Sequence, residues 1–215
     1  MRLGRLSTAV SPWQVPLPLP DNRPVYDASA AEETSAAVVD GELRSAVLSR
    51  DGAYRYRLTR RWGDGEMLAW VLQNPSTADA NVDDQTVRRA RTFAKAWGYD
   101  AFDFVNLWAY RETDSAAFVE VLLEEPSRAR GPGNDAHVLA AATCSAVIVC
   151  AWGSGAGRAA EDELLRHVVE GRLRAANLRC LGNTADGAPW HPSRLPNGLT
   201  PEKYDPWKTG YLLPF

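Results

Sequence analysis

The chain has few residues of the kinds that usually build metal or redox sites. Among its 215 residues there are three histidines and three cysteines, and none of them lie at the short spacings of metal-binding motifs. Cys144, Cys150 and Cys180 stand in apolar surroundings, which favours reduced residues of the core. We therefore predict no metal and no cofactor.

The sequence also lacks a long apolar segment and an excess of positive charge. No run approaches the ~18 apolar residues of a membrane span, and no signal-type apolar segment follows the N-terminus. The 24 Lys and Arg residues are outnumbered by 27 Asp and Glu residues, so no general basic field attracts duplex DNA. We expect a cytoplasmic protein that does not contact membranes.

The common phosphate-binding motifs are missing as well. Glycines are concentrated in WGSGAG, residues 152–157, where they would expose backbone N–H groups before a helix. However, no GxGxxG follows the first strand and no Walker lysine is present. A glycine loop that lets another group approach closely is the favoured interpretation.

What the chain does have is a strongly apolar segment that stops abruptly. Residues 67–72 are continuously apolar, which is typical of a strand buried on both faces. Asn74-Pro75 follows, and Pro75 cannot continue the strand pairing. The sequence thus places small polar side chains directly after a central strand.

Three more strands are predicted at 101–107, 146–152 and 178–181, with helices between them. Strands that alternate with helices predict an α/β fold, here a three-layer α/β/α domain with a four-stranded parallel sheet in the order 2-1-3-4. An Asp51-Gly52 turn predicts an N-terminal β-hairpin before this sheet.

Two regions are expected along the chain. Residues 1–40 form an extended, proline-rich arm, and residues 41–215 form a single domain. The arm is a candidate for dimer formation, although a mobile tail explains its composition equally well. The sequence leaves the oligomeric state open.

The carboxyl ends of parallel strands lie at one edge of a sheet, and ligands bind there in open α/β folds. The loops after the four predicted strands should therefore converge. We predict a substrate-binding site formed by polar and aromatic residues of these loops: Gln73, Pro75, Ser76, Thr77, Asn106, Trp108, Tyr110, Arg111, Trp152, Gly153, Ser193 and Arg194.

The order of these motifs resembles the uracil-DNA glycosylase superfamily. The matching features are a strand followed by Asn-Pro-Ser, a strand ending in Asn106, a strand ending in Trp-Gly, and a final His191-Pro192-Ser193. At finer grain, RYRLTRRWGDG, LQNPSTADANVDDQTVRR, FVNLWAYR, GPGND and CAWG resemble the family called domain of unknown function 1643, over about residues 44–195.

The glycosylase resemblance implies a uracil-DNA glycosylase-like fold and a set of roles. Asn74 would hold the attacking water or the ribose, since an amide can orient a water but cannot act as a general base. Asn106 would pair with the base edge, and His191 would donate to the base oxygen as charge develops there. Asp79, Asp83 or Asp84 would supply a carboxylate, and Asp79 is the catalytic candidate.

Three functions follow as hypotheses. The first is a glycosylase-like hydrolase that acts on the N-glycosidic bond of a nucleobase in nucleic acid, a nucleotide or a nucleoside, as in DNA modification or repair. The second is a non-catalytic module that binds a nucleotide or a single-stranded or modified nucleic acid. The third is an accessory enzyme acting on a small metabolite, which the acidic composition favours.

Overall fold

The computed structural model describes residues 32–207. Its strands are β1 (Glu32–Val39), β2 (Glu42–Ser49), β3 (Arg55–Arg61), β4 (Met67–Leu72), β5 (Ala101–Asn106), β6 (Ile148–Cys150), β7 (Leu178–Cys180) and β8 (Glu202–Lys203). Its α-helices are α1 (Gln85–Ala96), α2 (Ser115–Glu124), α3 (Pro126–Arg130), α4 (Asn134–Cys144) and α5 (Arg158–Val169). None of these helices is both long and apolar enough to cross a membrane.

All eight strands form one mixed sheet in the order β1-β2-β3-β5-β4-β6-β7-β8. Strand β4 pairs in parallel with β5 and β6, and β6 pairs in parallel with β7. The remaining four pairings are antiparallel. The prediction of a four-stranded parallel sheet of the uracil-DNA glycosylase type was therefore wrong.

The error comes from strand partners that local patterns do not specify. The predicted hairpin forms, as β2 and β3, but β3 also pairs antiparallel with β5 and so joins the main sheet. Strand β1 lies within the segment 1–40 that was predicted to be an arm, and it pairs with β2 along its whole length. Residues 1–31 lie outside the described residues.

Each face of the sheet is covered by helices. Strand β4 is buried at all six positions, as its apolar run predicts. Trp70 of β4 packs with Phe93 of α1 on one face, and Val71 lies in the cluster with Leu164 of α5 on the other. Because side chains alternate between faces along a strand, one apolar run supplies both halves of the core.

A cluster of charged residues fixes the start of α1 to the hairpin. Asp83 accepts hydrogen bonds from Arg60 of β3 and Arg91 of α1, and Arg91 also forms two 2.7 Å bonds with Glu42 of β2. Burial would raise the pKa of Asp83, but the hydrogen bonds from Arg91 and Arg60 outweigh this effect and lower it. The next residue, Asp84, caps α1 by accepting from the Val87 N–H. The end of the segment between β4 and α1 is thus fixed by hydrogen bonds to the hairpin and by the cap of the helix.

The cysteines only partly follow the sequence prediction. Cys150 and Cys180 are buried, whereas Cys144 is exposed at the end of α4. The prediction that Cys144 belongs to the core was therefore wrong. Burial raises the pKa of the Cys150 thiol, so this cysteine is held in its unreactive neutral form.

Candidate active site at the carboxyl edge of the sheet

The loops that follow the parallel strands contact one another. A Cβ at Gly155, after β6, would lie 2.7 Å from Oε1 of Gln73, after β4. A Cβ at Gly153 would lie 3.4 Å from the Cβ of His191. The glycine loop after β6 therefore lies between Gln73 and His191, and the lack of side chains allows this close approach.

Asn74 joins the loop after β4 to the loop after β5. Its Nδ2 donates to the carbonyl oxygen of Glu112 at 2.8 Å, and its Oδ1 accepts from Gln73 at 3.3 Å. The Glu112 N–H in turn donates to the carbonyl oxygen of Pro75. The amide of Asn74 thus fixes the turn, which leaves its oxygen with one further acceptor position.

Asn106, the last residue of β5, has a buried side chain. It is 0% exposed, and neither Oδ1 nor Nδ2 forms a hydrogen bond with any of residues 32–207. Phe102 and Phe104 of the same strand pack in the cluster beneath α1, and strand alternation puts Asn106 on that same face. An amide in this state is costly, since each buried group without a partner loses its hydration without replacement.

His191 begins a 3₁₀ turn, Pro192–Arg194, and acts as its cap. Nδ1 accepts from the Ser193 N–H and lies 3.0 Å from the Ser193 hydroxyl. Burial lowers the pKa of His191, although the charge of Asp84 opposes this effect. A neutral ring whose Nδ1 is an acceptor carries its proton on Nε2. His191 therefore presents an N–H donor.

Two arginines next to the Asn-Pro turn have no carboxylate partner among residues 32–207. Arg55 is 2% exposed, and its Nη1 donates to the carbonyl oxygen of Ala78 at 2.8 Å while Nε has no partner. Arg111 is half-buried and donates to the carbonyl oxygens of Ser76 and Gly52. Burial lowers the pKa of Arg55 to about 10.

The carboxylates that were candidates for the catalytic base are engaged in local structure. Oδ1 of Asp79 accepts from the N–H groups of Asn81 and Val82. Asp83 is bound by arginines and Asp84 caps α1. Each of these three carboxylates thus has a structural role.

The remaining predicted residues occupy different environments. Trp108 packs against Phe118 in the core and is 2% exposed. Tyr110 packs edge-on against Tyr54 and lies under the guanidinium of Arg128. Pro75 is buried, and its carbonyl oxygen accepts from the Glu112 N–H, while the carbonyl oxygen of Ser193 accepts from the Gln85 side chain. Trp152 is buried and packs against Tyr204. Thr77 and Arg194 are exposed.

A separate group of ligand-type side chains lies on α4 and α5. Asp135, Glu163 and His167 each have one potential ligand atom, and these three atoms lie within 4.8 Å of one another. Arg166 bridges both carboxylates, Arg130 binds Glu163 and Arg172 binds Asp135. These three guanidinium groups neutralise the carboxylates, so the group is better suited to an internal ion-pair network than to a cation.

The residue that sequence reasoning missed is Arg55. Side-chain alternation along this strand of the hairpin predicts that Arg55 and Arg57 share one face, as a solvated or phosphate-facing patch. In the structure Arg57 binds Asp103 of β5, whereas Arg55 is buried against the segment after β4. Only the antiparallel pairing of β3 with β5 brings Arg55 there, and that pairing had no local signal.

Fold and site together define a mixed α/β protein in which loops with polar side chains meet at the carboxyl edge of its parallel strands, and we refer to this group of loops as the cleft. The model of the family described as "Protein of unknown function (DUF1643)" matches residues 55–193. The chain belongs to this family, as its motifs indicated. Neither a curated protein nor a solved structure matched the chain, and no comparison supports the resemblance to uracil-DNA glycosylases.

Proposed function

We propose that the carboxyl edge binds the base of a nucleobase-containing ligand. The observation that carries this proposal is the side chain of Asn106, which is fully buried and whose two amide atoms form no hydrogen bond within the described part of the chain. An amide offers one donor and one acceptor side by side. The edge of a nucleobase offers the complementary pair, so a bound base would satisfy both atoms at once.

The energetics favour this role over a purely structural one. A buried donor or acceptor without a partner costs about 1–3 kcal/mol. A leucine of similar size would avoid that cost at a position inside the cluster beneath α1. An amide at this position is therefore best explained by a ligand that restores its hydrogen bonds.

His191 supports the same proposal from the loop after β7, at the same edge of the sheet. Its half-buried ring is neutral, and the Nε2–H is a donor suited to a carbonyl oxygen of a base. Because Gly153 approaches the Cβ of His191 and Gly155 approaches Gln73, the loops that carry His191 and the Asn-Pro turn belong to one cleft.

Binding of adenosine, guanosine, cytidine and uridine, measured by isothermal titration calorimetry, tests the proposal. Asn106→Leu should weaken binding about 10- to 100-fold, because it removes two hydrogen bonds of about 1 kcal/mol or more each. The matched control is Asn81→Leu, which changes an exposed asparagine outside the cleft and should leave binding unchanged. Equal affinities for wild type and Asn106→Leu would contradict the proposal.

A second candidate function is hydrolysis of the N-glycosidic bond of the bound base. The specific observation in its favour is the neutral His191, whose Nε2–H can stabilise charge that develops on a base oxygen. Asn74 would orient the attacking water through its oxygen.

Base release separates the two functions. Wild type is incubated with uracil-, hypoxanthine- and alkylated-base oligonucleotides and with free nucleosides, and the freed base is measured by chromatography. Hydrolysis predicts release that falls at least 10-fold in Asn74→Ala and His191→Ala. Binding without any release would leave the protein a binding module.

A further inference from the structure

We propose that Arg55 and Arg111 form an anion subsite of the cleft, so that the ligand carries a phosphate. This inference rests on the proposed function for the base, and it adds the chemical class of the rest of the ligand. The ligand would then be a nucleotide or a nucleic-acid strand and not a free nucleoside.

The backbone places the two arginines beside each other. The Arg55 N–H donates to the carbonyl oxygen of Ala109 at 3.0 Å, and the Arg111 N–H donates to the carbonyl oxygen of Ala53 at 2.9 Å. Tyr54 and Tyr110 pair antiparallel between these bonds. The positions of the two arginines are thus fixed by the same strand pairing.

Both side chains reach the same segment. Arg55 donates to the carbonyl oxygen of Ala78 and Arg111 to that of Ser76, two residues apart on the segment that follows the Asn-Pro turn. The two guanidinium groups therefore border the turn that also carries Asn74.

The charge of this pair has no direct counterion within the described chain. Carbonyl oxygens accept their N–H groups, and neither guanidinium lies within 4.0 Å of a carboxylate. The nearest acidic influences on Arg55 come from Asp84 and Asp79 at longer range. Two adjacent positive charges, one of them almost fully buried, are costly unless an anion is present.

A phosphate group fits these properties. Arginine presents a planar set of N–H donors that matches phosphate oxygens, often through two parallel bonds. Nε of Arg55 is buried and has no hydrogen-bond partner among the residues that the structure describes, and half-buried Arg111 would contact the anion first on entry. Bonds to the backbone hold each side chain in place, which reduces the entropy lost on binding.

The test compares nucleosides with their 5′-monophosphates and with inorganic phosphate on the full chain by isothermal titration calorimetry. Wild type should bind each monophosphate at least 10-fold more tightly than its nucleoside. Arg111→Met should abolish that difference, because it removes the guanidinium that would contact the phosphate. Arg55→Met is the second variant, and Arg50→Met, an exposed arginine of the same hairpin, is the control with the same loss of charge.

Each outcome separates this inference from the proposed function. Equal affinity of wild type for nucleosides and monophosphates would overturn the anion subsite and leave base binding intact. Binding of inorganic phosphate that Arg111→Met abolishes, without any binding of nucleosides, would support the subsite and contradict base recognition. An equal loss in Arg50→Met and Arg111→Met would also overturn the subsite, because it would reflect net charge alone.

Discussion

Buried arginines have different hydrogen-bond partners in two regions of the molecule. At the start of α1, Arg60 is 0% exposed and meets Asp83 at 2.8 Å, and Arg91 bonds to both Asp83 and Glu42. At the carboxyl edge, Arg55 is 2% exposed and donates to the carbonyl oxygen of Ala78. The arginines of the first region have carboxylate partners, whereas Arg55 has none among residues 32–207.

Arg60 and Arg91 belong to ion pairs that hold α1 against the hairpin, whereas Arg55 forms no ion pair within the described residues. Breaking a buried ion pair is destabilising, because the partner that stays behind is left without compensation. Removing a buried charge that has no ionic partner leaves no uncompensated charge behind. The two regions should therefore respond to substitution with different magnitudes, which makes the comparison testable.

The largest effect is expected at Asp83. Asp83→Asn removes the negative charge that pairs with both Arg60 and Arg91. It should lower the free energy of unfolding by about 3–5 kcal/mol. Denaturant unfolding measures this loss. The control is Asp162→Asn, which removes the exposed carboxylate paired with Arg158 at 4.0 Å and should cost no more than about 0.5 kcal/mol. Similar losses in both variants would remove the contrast between buried and surface pairs.

The next effect concerns the second ion-pair network, at His167. Burial lowers the pKa of His167 to about 4, and the charge of Arg166 adds to this effect while Glu163 and Asp135 oppose it. The folded state thus binds fewer protons than the unfolded state between the usual pKa of 6.5 and about 4. Stability is full above pH 6.5 and falls as the pH drops through this window, by about 3 kcal/mol in total.

His167→Leu tests this pH dependence. The variant should lose less stability than wild type between pH 7 and pH 4, with the difference approaching about 3 kcal/mol. Chemical denaturation at several pH values gives both curves. Parallel curves for wild type and variant would show that His167 does not titrate as described.

A smaller effect is expected in the cleft, at Asn106. Asn106→Leu removes two unpartnered polar atoms and should raise the free energy of unfolding by about 1 kcal/mol or more. Asn134 offers the contrast, because its Nδ2 donates to the carbonyl oxygens of Asn106 and Leu107. Asn134→Leu should cost about 2 kcal/mol. If Asn106→Leu is the more damaging of the two, its amide has a structural role.

The sequence predicts well what depends on local pattern. The apolar run of residues 67–72 is a buried strand that ends before Asn74-Pro75, and the turn at Asp51-Gly52 joins β2 to β3. The family follows from short motifs in the same way. In these cases one segment contains the whole signal.

What the sequence does not predict depends on partners far apart in the chain. Strand β1 is half-exposed, rich in Ala, Ser and Glu, and gives no strong period, while β8 has only two residues. The burial of Arg55 depends on contacts with residues 78 and 109 that no spacing reveals. Asn106 was among the predicted site residues, but its lack of hydrogen-bond partners within the described chain could be seen only in three dimensions.

The most direct test of the account is the free energy of unfolding of ligand-free Arg55→Met, measured by denaturant titration beside wild type. The account predicts a change of about 1 kcal/mol or less, because the lost bond to the carbonyl oxygen of Ala78 is offset by removal of a buried charge without a counterion. A loss of about 3–5 kcal/mol, equal to that expected for Asp83→Asn, would contradict it, because Arg55 would then stabilise the fold itself.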